Sequence, residues 1–170
     1  KNIFKIPYEK IKILIHPNSY IHCLIKFKNG LTKIIAHDTT MKIPIFNTLY
    51  NKYNKYLKSE SIDILKLNEL NFNTVDLKRY PMANILKILP KRNSLFETVI
   101  VSTNDTLVSL FLDKKIKFVD LYNHLIKFIN HKEFLKYKKK TPKNIRDIVE
   151  LNNYVRSKIF KKVYKTENAK

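Results

Sequence analysis

Short apolar runs separated by turn residues occupy the first part of the chain. The runs begin at Ile13, Tyr20 and Leu31, and Asn29-Gly30 separates the second run from the third. Asn-Gly between two apolar runs is the strongest short-range indication of a β-hairpin. The pattern therefore predicts a strand followed by a hairpin.

A helix and a connecting segment are predicted next. Pro44 suits the first turn of a helix, and the apolar positions after it recur at helical spacing: Ile45, Leu49, Tyr53 and Tyr56. Residues 59–79 carry mixed signals, and we interpret them as connecting structure that returns to the sheet.

Helical periodicity dominates the second half of the chain. Pro81 opens a short helix, and Ser102 with Asp105 has the spacing of a capping box that would start a longer one. Asp120 is placed to cap a further helix. Each of these positions is followed by apolar residues at helical spacing, which predicts several packed helices.

A charged segment precedes the last helix. We interpret residues 137–140, Tyr-Lys-Lys-Lys, as a linker. Thr141-Pro142 then places a capping residue before a proline, which predicts a helix start. The apolar stripe predicted for this helix consists of Ile145, Ile148, Val149, Asn152, Val155, Ile159 and Val163.

These elements define an α+β chain. We expect a small, mainly antiparallel sheet with a packed helix, followed by a helical bundle of about four helices. The predicted regions are residues 1–79, a sheet-plus-helix region of connecting or dimerisation type, and residues 80–170, a C-terminal bundle with a basic tail.

The chain carries a large excess of positive charge. Thirty-four Lys and Arg against 14 Asp and Glu give a net charge of +20 over 170 residues. Such an excess favours a polyanionic partner. The abundance of Lys, Asn, Ile and Tyr leaves compositional drift as the alternative.

Composition also excludes several classes of protein. The single cysteine, Cys23, excludes an internal disulfide framework, and its apolar neighbours predict a buried thiol. The single glycine, Gly30, excludes glycine-rich phosphate loops. No apolar run approaches the roughly 20 residues that span a bilayer, so we expect no membrane association. The start at Lys1, without methionine, suggests a processed product or a fragment.

The histidines near the first strand are the first candidates for chemistry. His16 and His22 would need further ligands for zinc, and only Cys23, His37 and Asp38 lie close in sequence. Ser19 beside a histidine is compatible with a nucleophile and its base, but no orienting acid lies near in sequence. We therefore favour structural, hydrogen-bonded histidines.

Basic and aromatic residues interleave in the last third of the chain. Lysines would neutralise phosphates and tyrosines would stack on unpaired bases, although a solvated lysine face over core aromatics is an equal alternative. The candidate RNA-contacting residues are Lys132, Lys136, Tyr137, Lys138, Lys139, Lys140, Lys143, Arg156, Lys158, Lys161, Lys162 and Lys165.

Five segments resemble one enzyme family in order and spacing. The segment "LIHPNSYIHCLIKFKNG" resembles the "HPQS..H" strand and hairpin of 1-deoxy-D-xylulose 5-phosphate reductoisomerase, the NADPH- and divalent-metal-dependent enzyme of the non-mevalonate isoprenoid pathway. Four later segments resemble further motifs of that family: "TTMKIPI", "LNELNF", "YPMANIL" and "STNDTLVSLFLDKKIKFVDL". The resemblance extends from about Ile11 to Lys158.

The resemblance implies a scaffold without its catalytic half. In the family, the NADPH domain, the acidic metal ligands and the substrate-holding residues precede the matched region. No catalytic, metal or cofactor residue can therefore be assigned here, and NADPH with Mg²⁺ or Mn²⁺ is expected only with an upstream half. In the family, the matched region braces the site and contributes to the homodimer interface. The resemblance therefore implies a homodimer through the first strands, whose scaffold residues are His16, Pro17, Ser19 and His22.

Three functional hypotheses follow. The first is a non-catalytic remnant that acts as a basic, RNA-binding structural subunit of a ribonucleoprotein. We expect this subunit in an organellar ribosome, and we favour a mitochondrion over a plastid. The alternative is the C-terminal half of an active reductoisomerase. A dimerisation module with an unknown protein partner is the third. We expect the chain alone to be non-enzymatic.

Overall fold

The computed structural model describes residues 4–50 and 55–167, and the chain divides into two compact units. We call Ile13–Val75 the hairpin unit, and Asp76–Lys170 together with Lys1–Lys12 the helical unit. The division into functional regions at residues 79 and 80 stays a prediction.

The predicted hairpin is present in the hairpin unit. Strand β2 (Ile21–Lys26) pairs antiparallel with β3 (Thr32–Ala36), with Leu24 opposite Ile34. Gly30 in the turn has a φ of 88°, a backbone conformation that glycine adopts without steric cost. The pairing is irregular between Ile21 and Cys23, so His22 lies at a β-bulge.

A second pair of strands closes the hairpin unit. Strand β1 (Leu14–Ile15) pairs antiparallel with β4 (Asn73–Thr74), so residues 59–79 do return to a strand. The described strands form two separate two-stranded sheets.

Two short helices complete the hairpin unit. Helix α1 (Lys42–Leu49) begins before Pro44 and ends before Tyr56, and Tyr53 lies outside the described residues. Helix α2 (Ile64–Asn68) begins after Asp63, whose carboxylate accepts a hydrogen bond from the Lys66 backbone N–H at 3.1 Å. This bond is the main reason that the pKa of Asp63 lies below its usual value.

The helical unit contains five α-helices in its described part. They are α3 (Ile85–Ile88), α4 (Leu95–Leu112), α5 (Asp120–Ile129), α6 (Lys132–Leu135) and α7 (Ile145–Glu167). Three 3-10 turns accompany them, at Tyr8–Lys10, Pro81–Asn84 and Lys136–Lys139. With the hairpin unit, this arrangement confirms the α+β fold class.

Helix α4 forms the centre of the bundle and packs against α5 and α7. Its Phe96, Val99 and Leu110 are fully buried beside Val155 and Ile159 of α7. By length and composition alone, α4 is apolar enough to cross a membrane. Half of it is buried inside the bundle, as expected of a core helix.

Two predicted helix starts are wrong. Helix α4 begins at Leu95, so Ser102 lies in its middle, is buried, and donates a hydrogen bond to Asn152 Oδ1 at 2.8 Å. Helix α7 begins at Ile145, where the Asn144 side chain accepts a hydrogen bond from the backbone N–H of Asp147 at 3.0 Å. This amide, rather than Thr141, caps the helix.

Candidate functional site

The sequence His16-Pro17-Asn18-Ser19 forms the turn between β1 and β2. The Ser19 backbone N–H donates a hydrogen bond to the His16 carbonyl at 3.1 Å. Ser19 has a φ of 51°, a conformation that few non-glycine residues adopt. The turn therefore fixes the direction of the chain on both sides of His16.

The His16 side chain has one satisfied and one unsatisfied nitrogen. Its Nδ1 donates to the carbonyl oxygen of Asn71 at 3.0 Å, and its ring lies 5.2 Å from the Phe72 ring. Because Nδ1 carries the proton, Nε2 is a hydrogen-bond acceptor. Nε2 is buried and has no hydrogen-bond partner within residues 4–50 and 55–167. Buried hydrogen-bond acceptors in folded proteins nearly always have a donor, so His16 Nε2 requires one.

His22 and His37 stack on each other. Their ring centroids are 3.7 Å apart and their planes are nearly parallel, and His37 Nδ1 donates to the Asp38 carbonyl oxygen at 2.7 Å. In the part of the chain that the structure describes, no three His, Cys, Asp or Glu residues form a group that could hold a metal ion. The structure thus gives both histidines aromatic contacts.

The two faces of the β2–β3 hairpin expose apolar side chains. We call Leu24, Ile25, Phe27, Ile34 and Ile35 the hairpin patch. Leu24 is 39% exposed and Ile34, opposite it, is 50% exposed. Cys23 is exposed as well, so the expectation of a buried thiol is wrong. Both faces of this hairpin lie open in the structure, although apolar residues on both faces are typical of a covered strand.

The first group of predicted RNA-contacting residues lies around α6 and the following 3-10 turn. Tyr137 is half-buried against the helical core, and the ammonium groups of Lys136 and Lys140 lie 5.3 and 5.4 Å from its ring. Lys138 lies 4.8 Å from the Phe96 ring. The exposed members of this group are Lys132, Lys136, Lys139, Lys140 and Lys143. The segment predicted as a linker is therefore ordered structure, with its tyrosine directed toward the core.

The second group lies on α7. Arg156, Lys158, Lys161 and Lys162 are exposed on this helix, and the side chain of Lys165 lies outside the described part of the structure. Tyr154 donates a hydrogen bond to Glu133 of α6. The two aromatic residues best placed for base stacking, Tyr137 and Tyr154, thus already have intramolecular contacts.

Glu133 is the centre of a polar network that the sequence did not reveal. Lys158 Nζ lies 3.4 Å from Glu133 Oε1, and His131 Nδ1 lies 3.8 Å from Oε2. The hydrogen bond from Tyr154, followed by the charge of Lys158, lowers the pKa of Glu133. The same tyrosine and the carboxylate raise the pKa of Lys158. The network joins α6 to α7.

The fold and the sequence motifs together point to the reductoisomerase class of proteins. Residues 37–158 match the family described as the DXP reductoisomerase C-terminal domain. This match covers most of the chain, and the chain belongs to this family.

Two relatives, one of them with a solved structure, show how similar the chain is to individual reductoisomerases. The 1-deoxy-D-xylulose 5-phosphate reductoisomerase of Pelagibacter ubique is 53% identical over 159 residues, which are 94% of this chain and 41% of that protein. The solved reductoisomerase of Zymomonas mobilis in complex with NADPH is 28% identical, with a TM-score of 0.74 over 95% of this chain and 41% of that chain.

A second solved structure shows the shared fold. A reductoisomerase in complex with NADPH, fosmidomycin and magnesium has a TM-score of 0.81 at 21% identity, over 97% of this chain and 41% of that chain. The chain spans about two fifths of the length of the relatives that it matches.

These comparisons overturn the first functional hypothesis. High identity to a curated reductoisomerase contradicts a ribosomal, RNA-binding remnant and its ribonucleoprotein partners, and the mitochondrial assignment attached to that role conflicts with it too. The alternative, the C-terminal half of a reductoisomerase, fits better. The positive charge alone misled the interpretation, because it indicates a partner only when a binding surface accompanies it. The homodimer through the first strands and the location in an organelle stay predictions.

Proposed function

We propose that this chain is the C-terminal part of an active, NADPH- and divalent-metal-dependent 1-deoxy-D-xylulose 5-phosphate reductoisomerase of the non-mevalonate isoprenoid pathway. The observation that carries the proposal is the 53% identity over 159 residues to the Pelagibacter ubique enzyme. Identity at this level over nearly the whole chain favours a scaffold that still serves the same enzyme.

The chain's own residues do not fit a complete cofactor site. Its one glycine, Gly30, lies in the hairpin turn, where it cannot form a glycine-rich phosphate loop at a helix start. The described residues include no group of three metal ligands. In this proposal, NADPH and the metal are bound by a part of the enzyme beyond these residues, and this region supplies structural support.

Two features of the hairpin unit suit that supporting role. The buried Nε2 of His16 has no hydrogen-bond partner among the described residues, and a donor from the remainder of the enzyme would satisfy it. The hairpin patch offers apolar surface that the remainder would cover. In this proposal, the hairpin unit holds neighbouring segments in place and takes no part in bond making.

A complementation experiment tests the proposal. The complete gene product that contains these residues is expressed in a bacterium that lacks its own reductoisomerase and survives only on an added isoprenoid precursor. We expect growth without the precursor. Failure of a well-expressed, folded product to restore growth would contradict the proposal.

A further inference from the structure

The turn between β2 and β3 brings a side-chain amide close to a backbone nitrogen that can attack it. Asn29 and Gly30 are both exposed, and they form the one Asn-Gly pair in the sequence. The carbonyl carbon of an asparagine side chain, Cγ, is open to attack by the backbone nitrogen of the next residue. We propose that Asn29 is a site of spontaneous modification, at which the folded protein loses the side-chain amide and forms aspartate and isoaspartate.

The reaction consumes only water. The Gly30 backbone nitrogen forms a bond to Asn29 Cγ, the bond between Cγ and Nδ2 breaks, and Nδ2 leaves as ammonia with the proton that the backbone nitrogen gives up. The product is a cyclic succinimide. Water then opens the ring at the side-chain carbonyl to give aspartate, or at the main-chain carbonyl to give isoaspartate. Nothing is oxidised or reduced.

A hydrogen bond of the turn favours the first step. Asn29 Oδ1 accepts a hydrogen bond from the Leu31 backbone N–H at 3.1 Å. Because Leu31 follows Gly30, this bond folds the amide back along the chain and holds Cγ beside the Gly30 peptide. The same N–H donates to the oxygen on which negative charge develops during the attack.

Gly30 leaves the attacking nitrogen unhindered. Within the described part of the chain, only its two chain neighbours come within 4 Å of the position that a Cβ on Gly30 would take. The Gly30 N–H donates to the Phe27 carbonyl at 3.1 Å, so this bond must open before the nitrogen attacks. A two-stranded hairpin is marginally stable, and exposed bonds at its turn open readily.

Asn18 is a matched internal reference. It is exposed and lies in the turn between β1 and β2, and the N–H of the next residue, Ser19, donates to the His16 carbonyl at 3.1 Å. Both turns therefore hold the attacking nitrogen in a hydrogen bond of the same length. Ser19 differs from Gly30 in its Cβ, which hinders the approach of the nitrogen to Cγ.

The two products change the turn to different extents. Aspartate keeps the main chain and an oxygen that accepts the hydrogen bond from the Leu31 N–H. Isoaspartate inserts the Cβ atom into the main chain, so the turn no longer matches the register that places Leu24 opposite Ile34. Isoaspartate should therefore loosen the hairpin, whereas Asn29→Asp should preserve it.

Peptide mapping by mass spectrometry tests the proposal on the complete gene product. The folded protein is incubated in warm, mildly alkaline buffer made with heavy-oxygen water, and fragmentation distinguishes aspartate from isoaspartate in the peptides that contain Asn29 and Asn18. We expect Asn29 to convert about tenfold faster than Asn18, because an unhindered nitrogen is held beside its Cγ. The converted peptide should contain heavy oxygen and include isoaspartate.

Three results would contradict these expectations. Conversion of Asn29 no faster than that of Asn18 would overturn the proposal. Aspartate without isoaspartate would also overturn it, since direct hydrolysis of the amide gives that product without a ring. In denaturant titrations, the isoaspartate form should unfold at a lower denaturant concentration than Asn29→Asp, and equal midpoints would refute the loosening of the hairpin. None of these measurements depends on reductoisomerase activity, so the proposed function can fail while the modification occurs.

Discussion

The hairpin unit and the helical unit differ in how far their central apolar residues are buried. In the helical unit, Phe96 and Leu110 of α4 are fully enclosed by neighbouring helices. In the hairpin unit, Leu24 and Ile34 face each other across β2 and β3, and both remain exposed. The helical unit forms a hydrophobic core from its own residues, whereas the hairpin supplies apolar surface and encloses little of it.

This difference indicates which part of the chain depends on residues outside it. A two-stranded hairpin is marginally stable without a further layer, and apolar residues on both of its faces require a layer on each. The family comparison supplies a reason, since the relatives are more than twice as long as this chain. Under the proposed function, residues beyond this chain cover the hairpin patch.

We expect the largest loss of stability from a substitution in the core of the helical unit. Leu110→Ala should lower the free energy of unfolding by about 2–5 kcal/mol, because it removes a fully buried side chain and leaves a cavity. Leu112→Ala on the same helix is the matched control, since Leu112 is 70% exposed, and should stay within about 0.5 kcal/mol. Denaturant titration of both variants gives the comparison. Equal effects would show that α4 does not form the core.

A charged substitution in the hairpin patch should strongly destabilise the complete protein. We expect Leu24→Asp to lower the free energy of unfolding by about 2 kcal/mol or more, because a covered apolar position would receive a charge. Leu112→Asp, at an exposed position, should change it by about 0.5 kcal/mol or less. If Leu24→Asp is equally mild in denaturant titrations, the patch is a free surface and the inferred coverage is wrong.

The hydrogen bond between α4 and α7 should contribute less. Ser102→Ala removes the donor to Asn152 Oδ1 and should lower the free energy of unfolding by about 1 kcal/mol. Ser157→Ala on an exposed position of α7 should have an effect within about 0.5 kcal/mol. In a double-mutant cycle with Asn152→Ala, the two losses should not add. Additive losses would mean that the bond contributes nothing to stability.

Breaking the Glu133 network should cause the smallest loss of stability, and this loss should depend on pH. Because the folded pKa of Glu133 is lowered, its contribution is complete above the unfolded value of about 4.3 and is lost as the pH falls through the folded pKa. Glu133→Gln should therefore lower the free energy of unfolding by up to about 1 kcal/mol at pH 7 and by less near pH 3. A difference that does not change with pH would refute this interpretation.

The free energy of unfolding contributed by the Glu133 network should also fall at high pH. The pKa of Lys158 is raised, so its contribution to stability is present below the usual lysine value of about 10.4 and is lost as the pH rises through the folded pKa.

Glu150→Gln is the control for Glu133→Gln in the acidic range, because the ion pair of Glu150 with Arg146 is exposed and should contribute at most about 0.5 kcal/mol.

Local patterns in the sequence predicted the hairpin correctly because its turn depends on two residues. Asn29 accepts a hydrogen bond from the Leu31 backbone N–H, and Gly30 adopts a positive φ. Both properties belong to the residue types themselves. The start of α4 was not predictable in this way, because Ser102 has the composition of a cap and is instead satisfied by Asn152, fifty residues away.

The candidate site was harder to derive from the sequence. The Glu133 network joins side chains of α6 and α7, and the spacing of 21 residues between Glu133 and Tyr154 gives no periodic pattern. The apolar stripe of α7 was found in part: Val155 and Ile159 are buried as predicted, Ile145 is exposed, and Leu151 is buried without having been predicted. The motif resemblance identified the family because it used order along the chain, whereas net charge suggested the wrong partner.

The most direct test of the central claim is the oxidation of NADPH by the complete gene product that contains these residues. The purified protein is mixed with 1-deoxy-D-xylulose 5-phosphate, NADPH and Mg²⁺ or Mn²⁺, and the absorbance of NADPH is followed. We expect substrate-dependent oxidation that stops when the metal is chelated. A folded protein that shows no oxidation above the substrate-free rate would contradict the claim that this chain is part of a working reductoisomerase.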